Sequence, residues 1–227
     1  NKWGGNLTYI DVFAGPGRCL IESTNQEEDG SPLMALQYDF KKYIFVEESK
    51  ELIHALKIRC KNSPKFSMIK FLEGDCNSIV DKIIPEVDSA GLNLIFIDPT
   101  GIDIYYKTIE RIAKEKRVDL LINVQFGIDI TRNFLFYKKR GDNSKLGLFL
   151  GDNVDWDKLN NPQDAIKLYK ERIKELGYQT VEFKDIVIRN TLNAPMYFLL
   201  FASKDPRGLY FWKEIAKKDH SGQLELF

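Results

Sequence analysis

Short apolar, strand-like runs recur along the chain with helix-forming stretches between them, and this alternation limits the fold more than any other feature. The runs are Leu7 to Phe13, Tyr43 to Val46, Ile69 to Leu72, Leu92 to Ile97 and Val118 to Val124. A repeated β-α unit of this kind predicts a parallel sheet covered by helices on both faces. The intervening stretches offer helix starts: Ser31 before Pro32, Ser49 ahead of an amphipathic stretch to Cys60, and Asn77 or Asp75 for a helix running to Ile84.

After Val124 the pattern changes. Residues 127–161 are rich in Asn, Asp, Lys and Gly and read as an insertion after the fifth strand, helical in part from Asp129 to Tyr137. Helical periodicity returns over 163–176 and stops at Gly177. Two more apolar runs follow, Thr180 to Ile188 and Met196 to Ala202, joined through Asn190, Asn193 and Pro195. So short a link makes an antiparallel hairpin. Five parallel strands and a closing hairpin predict an α/β protein: a three-layer α-β-α sandwich whose mostly parallel seven-stranded sheet has the class I methyltransferase layout. The expected organisation is one domain over 1–227, with the 127–161 insertion.

Bulk properties narrow the function classes. The 227 residues, 44% of them hydrophobic, can bury a core without metal or disulfide staples. Thirty-three basic residues balance 33 acidic ones, so no global positive field announces nucleic acid, and only a local basic patch remains open. Cys19, Cys60 and Cys76 are widely spaced, with only His54 and His220 to help, so a reduced cytoplasmic protein without a structural metal is expected. No apolar run reaches the ~18 residues of a membrane span. The sequence begins at Asn1 rather than a methionine, and a segment ahead of it is expected.

An open parallel sheet binds ligands outside the carboxyl ends of its strands, so the residues just after each run carry the functional information. The first run gives Asp11 and Ala14-Gly15-Pro16-Gly17, the second Glu47, the third Gly74-Asp75-Cys76-Asn77, and the fourth Asp98-Pro99-Thr100-Gly101. The glycine turn lets backbone N–H groups approach a ligand, Glu47 can accept from both ribose hydroxyls, and Asp75 can accept from an adenine amino group. The N–H of Cys76 or the side chain of Asn77 would face the ring nitrogens. Taken singly these are an ordinary tight turn, a solvated helix start and a turn-forming Asp-Pro. Four consecutive strand ends carrying the required acid or glycine point instead to an adenosine cofactor. A dinucleotide turn would follow G-x-G-x-x-G, whereas Leu20 holds the third position and an acidic loop follows (Glu22, Glu27, Glu28, Asp29). Acidic surroundings suit a cationic sulfonium better than a pyrophosphate, which favours S-adenosylmethionine over NAD.

Asp98-Pro99-Thr100-Gly101 occupies the place where amino-methylating nucleic-acid enzymes carry Asp/Asn-Pro-Pro-aromatic. There the acid or amide and the following carbonyl accept from the target NH2 while the ring stacks on the base. Asp98 and Pro99 are expected to be catalytic. Thr100 replaces the second proline and Gly101 the ring, so Tyr105, Tyr106 and Phe126 are the candidates for stacking on a flipped base. Arg132, Lys138, Lys139 and Arg140, interleaved with Phe134, Phe136 and Tyr137, read as a solvated amphipathic helix or a nucleic-acid patch. Cys76 has no histidine near in sequence and reads as a buried thiol. The usual hydrolase, zinc-protease and P-loop patterns do not occur.

The stretches "YIDVFAGPGRC", "DGSPLMAL", "YIFVEES", "EGDCN", "LNLIFIDPTG", "RVDLLINVQFG", "YKERIKELGY", "MYFLLFASKDPRG" and "SGQLELF" run in order through nearly the whole chain. In them the chain resembles the three-Cys-motif partner proteins, TcmP, of bacteria, archaea and phages. The resemblance implies a Rossmann-type methyltransferase fold, a helical segment ahead of the first strand, and association with a separate protein whose three-cysteine motif suggests radical S-adenosylmethionine chemistry. It supports the cofactor set Asp11, Gly15, Gly17, Glu47, Asp75 and Asp98 and names no substrate. Two functions follow as expectations. One is an S-adenosylmethionine-dependent methyltransferase acting on a DNA or RNA base amino group. The other is a cofactor-binding or catalytically degenerate partner module of the three-cysteine protein, in a phage or defence context.

Overall fold

The structure, a computed structural model, describes residues 5–21, 25–115, 117–178, 180–182, 187–189 and 195–216. Glu22, His220, the link through Asn190 and Asn193, and the "SGQLELF" stretch lie outside the described residues. The chain divides into two units, Asn1–Asp98 with Glu115–Val118, and Pro99–Lys114 with Asp119–Phe227.

The first unit runs β1 (Leu7–Asp11), β2 (Arg18–Ile21), β3 (Gln26–Asp29), α1 (Ser31–Ala35), β4 (Lys42–Glu47), α2 (Lys50–Cys60), β5 (Ile69–Glu73), α3 (Val80–Ile83) and β6 (Leu92–Ile97). Four of its strands are parallel, in the order β5-β4-β1-β6. Ile10 sits opposite Ile44 and Ile95, and this row of β-branched side chains is fully buried. On α2, Ile53, Leu56 and Cys60 form the inward stripe, and Leu56 and Cys60 join Tyr9, Tyr43 and Phe45 in one apolar cluster. Burying a leucine like Leu56 contributes about 2 kcal/mol. As expected, Ser49 caps this helix, its Oγ accepting from the Leu52 N–H at 3.3 Å.

Three local expectations are corrected. Gly30, not Ser31, caps α1, because the Ser31 hydroxyl is donated to Asp11. Helix α3 starts only at Val80, with no side-chain cap, because Asp75 closes the turn ahead of it. The acidic stretch is no loop: β3 pairs antiparallel with β2, and Arg18 lies 3.2 Å from Glu27 and 3.4 Å from Asp29.

The second unit runs α4 (Tyr106–Ala113), β7 (Val118–Val124), a π-helical segment (Phe126–Thr131), α5 (Arg132–Arg140), α6 (Lys145–Leu150), α7 (Pro162–Glu175), β8 (Thr180–Glu182), β9 (Val187–Arg189), β10 (Pro195–Ser203) and α8 (Pro206–Ala216). Strand β10 runs antiparallel to β7, with Phe198 opposite Val124 and Ala202 opposite Leu120. The expected strand from Thr180 to Ile188 is two short strands, both antiparallel to β10. The β9–β10 ladder shifts register between Pro195 and Tyr197, where proline has no N–H to give. Among the described residues there are eight strands besides the β2–β3 ribbon, against seven expected. The class is as predicted: α/β, mostly parallel, with an antiparallel end.

The 127–161 stretch is largely helical and supplies core: Phe134, Leu146, Phe149 and Leu150 are buried, and Phe149 stacks on Tyr169 with ring centroids 4.0 Å apart. Helix α7 opens on a capping box, Asn161 with Asp164, and stops at Gly177 in a left-handed conformation (φ +89°). Helix α8 was not anticipated; Pro206 sets its first turn and Trp212 stacks on Phe201. Among the described residues, no helix is long and apolar enough to cross a membrane.

Candidate functional site

The cofactor residues predicted from the strand ends all belong to the first unit. Leaving β1, the chain crosses its neighbours: the Val12 N–H donates to the Phe96 carbonyl (3.2 Å) and the Ala14 N–H to the Val46 carbonyl (2.9 Å). Glu47, half-buried at the end of β4, then ties two segments together. Its Oε2 accepts from the Gly15 N–H and its Oε1 from the Ser49 N–H, each at 2.9 Å. Gly15 and Gly17 are both left-handed, at φ +60° and +82°. A side chain on Gly17 would strike Leu56 Cδ1 at 2.6 Å, whereas one on Gly15 would enter open space. Gly15 is therefore where the turn offers bare backbone outward.

Asp11 is fully buried. Its Oδ1 accepts from the Phe13 N–H (3.2 Å), and its Oδ2 from the Ser31 hydroxyl (2.6 Å) and the Tyr9 hydroxyl (3.5 Å). Burial pushes its carboxyl up to about 7 against the pull of the Ser31 and Phe13 bonds, with the charge of Asp98 adding to the rise. Asp11 thus holds the start of α1 and the turn from inside, rather than presenting itself to a ligand. Asp75 and Asn77 are half-buried beyond β5, and the Gly74 N–H donates to the Glu47 carbonyl at 3.0 Å. Asp75 accepts from the N–H and side-chain amide of Asn77, each at 3.1 Å, and from the Ser78 hydroxyl at 2.8 Å. Cys76 is buried and Asp98 is exposed just past β6. Each carboxylate oxygen of Glu47 has one protein donor and keeps lone pairs for a further one. The acidic surroundings expected after Leu20 are partly neutralised, since Arg18 pairs with Glu27 and Asp29.

Of the residues predicted to meet the acceptor, Asp98 closes the first unit and Pro99, Thr100, Tyr105, Tyr106 and Phe126 belong to the second. Pro99 is buried and its carbonyl accepts from Gln125 Nε2 at 3.1 Å, while Thr100 is exposed. A side chain on Gly101 would lie 2.6 Å from both Asp129 Oδ2 and Lys145 Nζ. Buried Asp129 accepts from the Ile102 N–H (3.0 Å) and the Tyr137 hydroxyl (2.5 Å) and pairs with Lys145 (3.2 Å), which also pairs with Asp103 (2.8 Å). Burial pulls the Asp129 carboxyl upward, but those partners outweigh it and hold it below its usual range. The position that carries a ring in amino-methylating enzymes is therefore closed by an ion cluster. Tyr105 is exposed, whereas the Tyr106 hydroxyl donates to the Arg172 carbonyl (3.2 Å) with the Arg172 guanidinium 5.7 Å from its ring. Phe126 is buried against Phe198, ring centroids 4.8 Å apart. Of the three rings expected to stack on a base, Tyr106 and Phe126 are packing residues and Tyr105 alone is exposed.

No family model matches the chain, and no curated protein matches it in sequence. Among solved structures, the methyltransferase domain of bacterial CtHen1-C aligns with a TM-score of 0.50 at 13% identity, over 87% of this chain and 90% of that one. The METTL16 MTase domain aligns with a TM-score of 0.52 at 12% identity, over 89% of this chain and 62% of that one. The chain has a methyltransferase-domain fold. At such identity the likeness carries fold alone, and chemistry has to be argued from side chains.

Some residues that hold these strand ends carry little signal in the sequence. Ser31 stands in the "DGSPL" stretch, where proline beside it suggested only a cap. Gln125 is the residue just after β7, so the strand-end rule applied to the fifth run finds it. Asp129 and Lys145 carried no local signal, because only the π-helical segment and α6 bring them to Gly101.

Proposed function

We propose that the protein is an S-adenosylmethionine-dependent methyltransferase whose acceptor is an amino group of a nucleic-acid base. The observation that carries this reading is the Gly15 to Gly17 turn. It is held by the Glu47 carboxylate and left open at Gly15, beside the carboxyl ends of parallel strands in a methyltransferase-domain fold. That open backbone fits the methionine end of the cofactor, and the spare lone pairs of Glu47 fit the ribose hydroxyls. Asp75, Cys76 and Asn77, on the next strand end, would border the adenine. When bound, S-adenosylmethionine supplies a methyl group already activated on a sulfonium. The chain's own task is then positioning, which can lower the barrier by several kcal/mol without acid–base chemistry. Asp98, exposed at the end of β6, would accept a hydrogen bond from the target amino group and turn its lone pair outward. Asp11, Tyr9 and Ser31 act as positioning residues behind the turn.

A second reading, a partner module that binds the cofactor and transfers nothing, is favoured by two observations. The Pro99 carbonyl is already engaged by Gln125, and the ring position at Gly101 is closed by Asp129 and Lys145. The resemblance to TcmP would make its partner the three-cysteine-motif protein. Transfer of labelled methyl groups to DNA, tRNA and rRNA separates the two. The enzyme reading expects transfer that Asp98→Ala lowers at least about 100-fold with cofactor affinity unchanged. Retained cofactor binding with no transfer to any acceptor supports the module.

A further inference from the structure

Helix α5 turns an unusual face to solvent. Arg132, Leu135, Phe136, Lys139 and Arg140 follow the i, i+3, i+4, i+7, i+8 spacing and share one side of the helix, and all five are exposed. Leu135 is 80% and Phe136 56% exposed, while Phe134 and Tyr137 take the inward side and Lys138 turns away to donate to the Leu159 carbonyl at 2.7 Å. The Arg140 guanidinium lies 5.3 Å from the Phe136 ring centroid. No acid occurs from Arg132 to Arg140. Asp129, in the preceding turn, is buried and engaged by Tyr137 and Lys145. The helix dipole accounts for cations in the last turn. It does not account for a leucine and a phenylalanine turned outward among them, which costs hydration free energy unless something covers them. In a chain of zero net charge, this concentration of cations is local.

We infer that this face of α5 binds single-stranded nucleic acid, with a base stacked on Phe136 and phosphates met by Arg132, Lys139 and Arg140. A ring flanked by a guanidinium and surrounded by cations is the combination that holds an unpaired base beside its backbone. An acidic peptide would match the charge, but only a nucleic acid sets an aromatic base beside every negative charge to match Phe136 among its cations. The inference rests on the reading of the acceptor as nucleic acid, and its test uses binding alone, so that the two fail separately.

The test is fluorescence anisotropy of a labelled oligouridylate of about 12 nucleotides, without cofactor, from about 50 to 300 mM salt. Three phosphate contacts predict a slope of log affinity against log salt near about −2. Phe136→Ala, which leaves the charge unchanged, is expected to weaken binding about tenfold. Arg140→Ala should flatten the slope by about 0.7, and a duplex of equal length should bind less tightly. Both side chains are exposed, and circular dichroism confirms that the variants stay folded. The inference is overturned by absence of binding at low salt, by Phe136→Ala binding as wild type, or by oligoglutamate binding in place of the oligonucleotide. Uracil carries no amino group to methylate, so binding of this probe is read apart from transfer: it would sustain the inference even where DNA, tRNA and rRNA accept no methyl group.

Discussion

Gly15 and Gly17 stand two positions apart in one turn and are glycine for different reasons. A side chain on Gly17 would force the buried Leu56 methyl to shift, whereas Gly15 faces open space. Gly17→Ala should therefore cost about 2–4 kcal/mol, from the left-handed backbone and the clash together, read by chemical denaturation. Gly15→Ala should cost only about 1 kcal/mol and act instead on the cofactor, weakening its binding at least about tenfold in calorimetry. Equal stability losses at both sites would contradict this division. The "AGPG" turn was legible in the sequence as a place where backbone approaches a ligand. Which glycine serves the ligand was not, because the Leu56 methyl arrives from α2. Asp11 and Glu47 show the same limit. Both end strands and both read as ligand acids, and only packing reveals that Ser31 and Phe13 engage Asp11 while Glu47 keeps accepting capacity at half exposure.

At the scale of elements, the π-helical segment after β7 fixes the loop that runs from Pro99 to Ile102. Its irregular winding brings Asp129 onto the Ile102 N–H, and Gln125 just before it reaches the Pro99 carbonyl. Asp129→Ala would take their acceptor from the Ile102 N–H and the Tyr137 hydroxyl and leave Lys145 to pair with Asp103. A loss of about 2–4 kcal/mol is expected, with Asp129→Asn costing less; thermal unfolding of the two variants decides it. No loss for the alanine variant would mean that the cluster does not hold the loop. Apolar runs made most strands legible, since β6 and the middle of β4 are apolar at nearly every position. The β2–β3 ribbon was not legible: Gln26-Glu27-Glu28-Asp29 has little β-propensity, and it is extended because its register with Arg18 to Ile21 sets acids beside an arginine. The π-helical segment and the start of α3 were hidden likewise, because side-chain bonds of Asp129 and Asp75 decide them.

For the whole molecule, buried carboxylates give the stability profile its sign. Burial pushes Asp11 up to about 7 and Asp119 up to about 6. An acid raised on folding favours the folded state while protonated, so that contribution is complete below about pH 4 and is lost as pH rises through the folded values. Asp129 and Glu86 are held below their usual range, so their contribution is present above it and lost on acidification. The melting temperature should peak near about pH 4 and fall toward about pH 7. Asp11→Asn should remove much of that fall; a variant that keeps wild-type pH dependence would show that Asp11 is not its source. The α/β class and the antiparallel end were legible from the order of runs, but the division into two units was not, because it falls between Asp98 and Pro99 inside one motif. The central claim is that Glu47 and the glycine turn form the nucleoside end of a cofactor site, and calorimetric titration with S-adenosylmethionine and S-adenosylhomocysteine, on wild type and Glu47→Ala, tests it most directly. The account predicts that wild type binds both compounds and that folded Glu47→Ala loses at least about tenfold in each affinity. Absence of binding to folded wild type, or equal affinity in Glu47→Ala, would contradict it.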